Sequence, residues 1–142
     1  MSEKIYIDGN NAIYGKISGY AAKRLLEGND IIIVNSNKVI ITGSHDFILA
    51  KFRERRDIGS VRKGPFYPRT SDQILRRSIG DMLPKKKSRG KSALGRCRVH
   101  TGIPKDLKDV KFITVEKAMN NKVTGFVTLA EIAEHLGAKV RN

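Results

Sequence analysis

Apolar positions along the 142-residue chain fall into short runs whose period changes several times. Residues 4–8 (Lys-Ile-Tyr-Ile-Asp) alternate apolar with polar and lead into Gly9-Asn10-Asn11, which predicts a short strand and a turn. From 15 to 27, Ile17, Ala21, Leu25 and Leu26 recur at helical spacing, with Lys16, Lys23 and Arg24 off that stripe. Gly28 suits the left-handed position just past such a helix. Residues 30–35 contain Ile31-Ile32-Ile33-Val34, a β-branched run that predicts a buried central strand intolerant of a charge at Ile32. After Ser36-Asn37 the residues 38–42 resume as another strand. Strand, helix, strand implies a right-handed crossover and a parallel pairing.

The second half is punctuated more heavily. Ser44 or Asp46 is placed to cap a helix with Phe47, Ile48, Ala50 and Phe52 facing inward and Lys51, Arg53, Arg55 and Arg56 outward. Residues 57–70, with two glycines and two prolines, read as a loop. Ser71 or Asp72 then opens a helix carrying Ile74, Leu75 and Ile79, closed by Met82-Leu83-Pro84. Residues 85–91 hold no apolar side chain, and 92–99 suggest a short helix ended by Gly102-Ile103-Pro104. Residues 111–115 predict a last strand, and Thr128 opens a closing helix on Leu129, Ile132, Ala133 and Leu136, stopped by Gly137. The elements together predict an α/β fold: a three-layer α/β/α arrangement with a small, mostly parallel sheet, helices on both faces and a loop-rich centre. With no repeat and no long linker, one domain over residues 1–142 is expected.

Composition narrows the function. At 39% hydrophobic residues and a mean hydropathy of −0.37 the chain is globular. Its longest apolar run, 31–34, is far too short to cross a bilayer, and no secretory apolar stretch follows Met1, so a soluble cytoplasmic protein is expected. The lone cysteine, Cys97, excludes an internal disulfide and a multi-cysteine zinc site. The net charge of +14 is distributed unevenly: residues 1–50 are neutral, 51–100 carry +12 and 101–142 carry +2. Such a density calls for a polyanion, with nucleic acid first and an anionic membrane surface second.

Catalytic readings fail on spacing. Gly9 to Gly15-Lys16 sits between a strand and a helix as a phosphate loop would, but five residues separate its glycines and Ile17 occupies the hydroxyl position. A tight turn is the better account. His45, His100 and His135 lie in separate segments, and Cys97 three residues before His100 forms no metal pattern. Arg96 and Arg98 beside Cys97 would lower its pKa, but no partner base accompanies it. Asp72 is spaced to pair with Arg76 along a helix. No catalytic residue, metal, cofactor or small-molecule substrate is therefore expected.

The basic middle third is different in kind. It mixes the point charges of Lys63, Lys85, Lys86, Lys87 and Lys91 with the guanidinium forks of Arg53, Arg55, Arg56, Arg62, Arg69, Arg76, Arg77, Arg89, Arg96 and Arg98. Forks suit bidentate phosphate contacts, and lysines suit diffuse neutralisation. Gly59, Gly64 and Gly90 would let backbone approach a phosphate chain closely. Phe66 and Tyr67, between Pro65 and Pro68, form a stiff aromatic tip that either stacks on an unpaired base or packs beneath the loop. No zinc-finger spacing, heptad basic region or glycine-aromatic RNA motif is present, which favours shaped RNA over a sequence-read DNA site.

A set of residues in fixed order resembles a known family. Ile7-Asp8, Gly15-Lys16-Ile17-Ser18, Ala22-Lys23 and Val34-Asn35 are followed by Ile41-Thr42-Gly43. Gly64-Pro65, Arg69, Arg76-Arg77, Met82-Leu83-Pro84-Lys85, Arg89-Gly90, Ala93-Leu94 and Gly102-Ile103-Pro104 complete the set. The pattern is similar to that of the thirteenth protein of the large ribosomal subunit, its archaeal branch in particular, over about residues 4–104. The resemblance implies an α/β/α protein without a catalytic site that binds large-subunit ribosomal RNA, supports subunit assembly and meets neighbouring ribosomal proteins. It also implies that the basic region at about 51–104 faces RNA. One departure stands out: the family often has Arg-Gly before Met-Leu-Pro, where this chain has Gly80-Asp81.

Overall fold

Strand β1 (Lys4–Asp8) runs parallel to β2 (Asp30–Val34) with Ile5 opposite Ile31 and Ile7 opposite Ile33, and helix α1 (Tyr14–Leu26) joins them. This is the expected parallel pairing across a helix. The computed structural model describes residues 3–60, 62–64, 67–121 and 124–138. On its other side β2 pairs in parallel with β4 (Cys97–Val99), so the strand order is β1-β2-β4 with β2 central. Alternation sets the faces. Ile7, Ile31, Ile33 and Cys97 are fully buried on the side covered by α1, whereas Tyr6, Ile32 and Arg98 lie on the opposite side, half-buried or exposed. The isoleucine run is thus central as expected, but Ile32 is only half-buried; on its side of the sheet Tyr6 forms an edge-to-face aromatic pair with Phe112.

The remaining elements build around a second sheet. β3 (Ile40–Thr42) pairs antiparallel with β5 (Phe126–Thr128), and α2 (His45–Asp57) and α5 (Leu129–His135) pack beside it. α3 (Ser71–Asp81) bridges the halves, lying on α1 and β4 and touching α5, and α4 (Ser88–Gly95) follows it. A connected core runs from Ile7 through Ile17, Ile74 and Leu75 to Leu129 and Leu136. Each such fully buried aliphatic side chain contributes about 1.5–3 kcal/mol. The α/β class and the small, mostly parallel sheet stand as the hydrophobic pattern implied.

Four local expectations change. The strand expected at 38–42 is confined to β3, because Asn35 adopts a left-handed φ of 57° and turns Ser36–Lys38 into one helical turn. The helix expected at 92–99 begins four residues earlier and gives way to β4, where the amide of Ile31 donates to the Arg96 carbonyl at 3.2 Å. The strand expected at 111–115 is a single parallel bridge: the Ile113 amide donates to Tyr6 and the Asp8 amide donates to Ile113, both at 2.9 Å. On α2, Ile48 and Phe52 face inward, but Phe47 is 69% exposed and Ala50 is exposed too.

Candidate nucleic-acid interface

The basic run at 85–91 hangs from a rigid corner. Leu83 is buried, and α4 approaches Pro84 so closely that a Cβ at Gly90 would lie 2.0 Å from the Pro84 carbonyl oxygen. Gly90 is therefore bare toward the protein interior, not toward a phosphate. That contact and the Lys87 amide on the Pro84 carbonyl (3.1 Å) aim Lys86, Lys87 and Lys91 outward, where all three are exposed. Lys85 folds back onto Asp81, so the acid that precedes Met82-Leu83-Pro84 in this chain holds a lysine one helical turn away. Gly80 lets Leu94 pack close: a Cβ there would lie 3.3 Å from it.

Several predicted contact arginines are engaged within the fold. Arg76 is not paired with Asp72; its Nη2 donates to the Leu94 carbonyl at 3.0 Å and its Nε to Cys97 at 3.5 Å, tying α3 to the end of α4 and to β4. Arg96 donates to the Leu25 carbonyl at 2.6 Å, closing α4 onto the end of α1. Arg55 donates to the Tyr67 hydroxyl at 3.2 Å, and the guanidinium groups of Arg55 and Arg77 lie 5.5 Å and 5.1 Å from the Tyr67 ring centre. Tyr67 also meets Phe52 edge-on at 6.1 Å, so it is a packed platform and not an open stacking tip. Arg53 donates to His135, Arg56 pairs with Asp57 at 2.9 Å and holds that carboxyl below its usual range, and Arg89 reaches the Leu26 carbonyl only at 3.5 Å.

The loop at 57–70 presents a second exposed point. Ser60 and Gly64 exchange backbone bonds at 3.1 and 3.0 Å, and the Lys63 amide donates to the Ser60 hydroxyl at 2.8 Å. Gly59 and Gly64 take the positive φ values of 89° and 74° that this turn requires. Arg62 and Lys63 stand exposed at its tip. Phe66, with Val61 and Pro65, lies outside the described residues. Arg69 is exposed beside the start of α3, and Arg98 is exposed on the less covered sheet face.

Burial pushes the Cys97 thiol up to about 11 despite Arg76 and Arg98, which reverses the lowering expected from its flanking arginines. Burial likewise pushes the Tyr14 phenol up to about 12. Among the described residues no group of three potential metal ligands occurs. At the turn after β1, a Cβ on Gly9 would lie 2.9 Å from Val39 and 3.0 Å from the Val34 carbonyl oxygen. That glycine admits its own sheet, not a phosphate.

The order of these residues has counterparts in known proteins. The family model described as ribosomal protein L13 matches residues 2–106. The chain belongs to this family. A large ribosomal subunit protein uL13 from Picrophilus torridus is 58% identical over 133 residues, covering 94% of this chain and 96% of that relative. The uL13 of Thermoplasma acidophilum is 56% identical over 131 residues, with 92% and 96% covered, and that of Methanocaldococcus jannaschii 43% over 139, with 94% and 97% covered. Gly90, Pro84 and Arg76, which carry the L13 resemblance, are residues that fix the corner between α3 and α4.

Proposed function

We propose that the protein docks on large-subunit ribosomal RNA through those cations that its own fold leaves without a partner. As a member of the L13 family it is a structural component of the large ribosomal subunit, not an enzyme. The reading rests chiefly on Arg62, Lys63, Lys86, Lys87 and Lys91: they are exposed and, among the described residues, hold no ion pair. RNA phosphates approaching them release condensed counterions, which supplies affinity without any base being read. Arg69, Arg77, Arg89 and Arg98 are exposed too and add cations to this reading. Lys85, Arg53 and Arg56 reach RNA by exchanging exposed internal partners, whereas Arg55, Arg76 and Arg96 hold the frame that positions the others. The docking region at 51–104 is thus divided between contact and support within one domain, and neighbouring ribosomal proteins meet part of the remaining surface.

Stable co-migration with the large subunit through a sucrose gradient in a high-salt wash is the expected result. Release into free fractions at moderate salt would favour a non-ribosomal nucleic-acid-binding module instead.

A further inference from the structure

We infer that the groove between α1 and residues 114–118 is a second RNA-backbone site, outside the basic middle third. The inference rests on the RNA-docking reading above and adds to it a surface that the distribution of charge along the chain conceals. Lys16 and Lys23 are cancelled by acids within the neutral first 50 residues, and Lys117 sits in the nearly neutral last part. Folding brings the three together.

The groove encloses about 830 Å³. One wall is the outer face of α1, where Gly15, Lys16, Gly19, Tyr20 and Lys23 follow the three- and four-residue spacing of a single helix face. Ile17, Ala21 and Leu25 are buried on the other side of the helix. The opposite wall, Thr114 to Ala118, is anchored at both ends: Ile113 bridges to β1, and the Ala118 carbonyl accepts from the Ile13 amide at 2.7 Å. The cleft is therefore built into the fold.

Its chemistry selects an extended anion. Lys16, Lys23 and Lys117 are exposed and hold no ion pair among the described residues, while Glu116 is the one acid in the lining. Arg24 is already engaged, lying 5.2 Å from the Tyr20 ring centre and 3.1 Å from Glu27. Lys16 and Lys23 are separated by about 10 Å along the helix axis, more than a single phosphate spans. Gly15 beside Lys16 and Gly19 between the two lysines leave a bare ledge: a Cβ at Gly15 would meet nothing within 4 Å, and one at Gly19 only the Met82 sulfur at 3.8 Å. A sugar-phosphate chain can lie along that ledge and reach both lysines. Of the exposed large apolar side chains, Met82 and Ile113 stand at its margin and none is among its lining residues, so cations and not an apolar anchor dominate the lining. Met82 at its edge and Arg89 at the end of α1 connect it to the run at 85–91.

The test uses the full chain and deproteinised archaeal large-subunit ribosomal RNA, with affinity measured across a potassium chloride series. Gly15→Leu fills the ledge without touching charge, and the open space at Gly15 together with better helix propensity should leave its thermal midpoint at or above that of the parent. It is expected to bind RNA several-fold more weakly. Lys16→Gln/Lys23→Gln/Lys117→Gln should lower the slope of log affinity against log salt by about two. Arg62→Gln/Lys63→Gln/Lys86→Gln/Lys87→Gln reports on the main surface. Parent-like affinity and slope in both groove variants, with loss in the main-surface variant, would overturn the groove and leave the docking reading intact. Parent-like behaviour in all three variants would remove the docking reading itself. Groove variants that bind RNA normally but fail to enter the large subunit would assign the groove to a neighbouring protein, which also overturns the proposal.

Discussion

Arg76 and Arg62 carry the same guanidinium in the same basic stretch, yet their surroundings differ completely. Arg76 is half-buried, with its donors on the carbonyls of Leu94 and Cys97; Arg62 stands at the tip of a turn with no ion-pair partner among the described residues. The comparison extends to Arg96, which closes α4 onto α1, against Lys86, Lys87 and Lys91 on the face of the same corner. A cation whose hydrogen bonds are already made within the fold gives up those bonds to take a phosphate, and a free one gives up only water and counterions. On the proposed reading, charge density along a sequence counts together the cations offered to RNA and those that hold the fold.

The strongest way to break the distinction is to move the frame itself. Gly90→Ala places a methyl 2.0 Å from a backbone oxygen that no side-chain rotation can relieve. It should cost about 3 kcal/mol or more, read as a large fall in the urea midpoint, and displace the basic run with it. Arg76→Ala comes next. Leaving the Leu94 and Cys97 carbonyls without their donor should cost about 1–3 kcal/mol, with the salt dependence of RNA binding unchanged. Alkali probes the same buried corner. The Cys97 thiol is raised to about 11 in the folded chain against an ordinary value of 9.0, so its stability contribution is full below pH 9 and is lost as pH rises toward 11. That loss is on the order of 2 kcal/mol, and Cys97→Ala should flatten this part of a stability-against-pH curve. The smallest stability effect belongs to Lys86→Gln/Lys87→Gln/Lys91→Gln, whose stability should stay within about 0.5 kcal/mol per site of the parent while RNA affinity falls.

What the sequence disclosed depended on how local the cause was. α1 and α5 were readable because their stripes are long enough to show a helical period and because Gly28 and Gly137 end them at φ values of 100° and 94°. The Thr128 cap was readable for the same reason, and its hydroxyl accepts from the Glu131 amide at 3.2 Å. β4 and β5 are three residues each, too short to show a period, and exist because distant strands pair with them. The candidate site shows the same limit. Composition located the basic stretch, but whether an arginine faces water or a carbonyl depends on α4 and β4 meeting α3, which no local pattern encodes. The glycine-spaced ledge on α1 did carry a signal in Gly15, Lys16, Gly19 and Lys23, and summing charge over long segments erased it.

The central claim, that freedom from internal partners and not formal charge marks the RNA-facing cations, is tested by removing equal charge from each class. Arg62→Gln/Lys63→Gln and Arg76→Gln/Arg96→Gln each remove two positive charges and are compared, both folded, for the salt dependence of binding to large-subunit ribosomal RNA. The account predicts that the slope of log affinity against log salt falls by about 1.5 in the first variant and stays at the parent value in the second. An equal fall in both, or a fall only in the second, would contradict it.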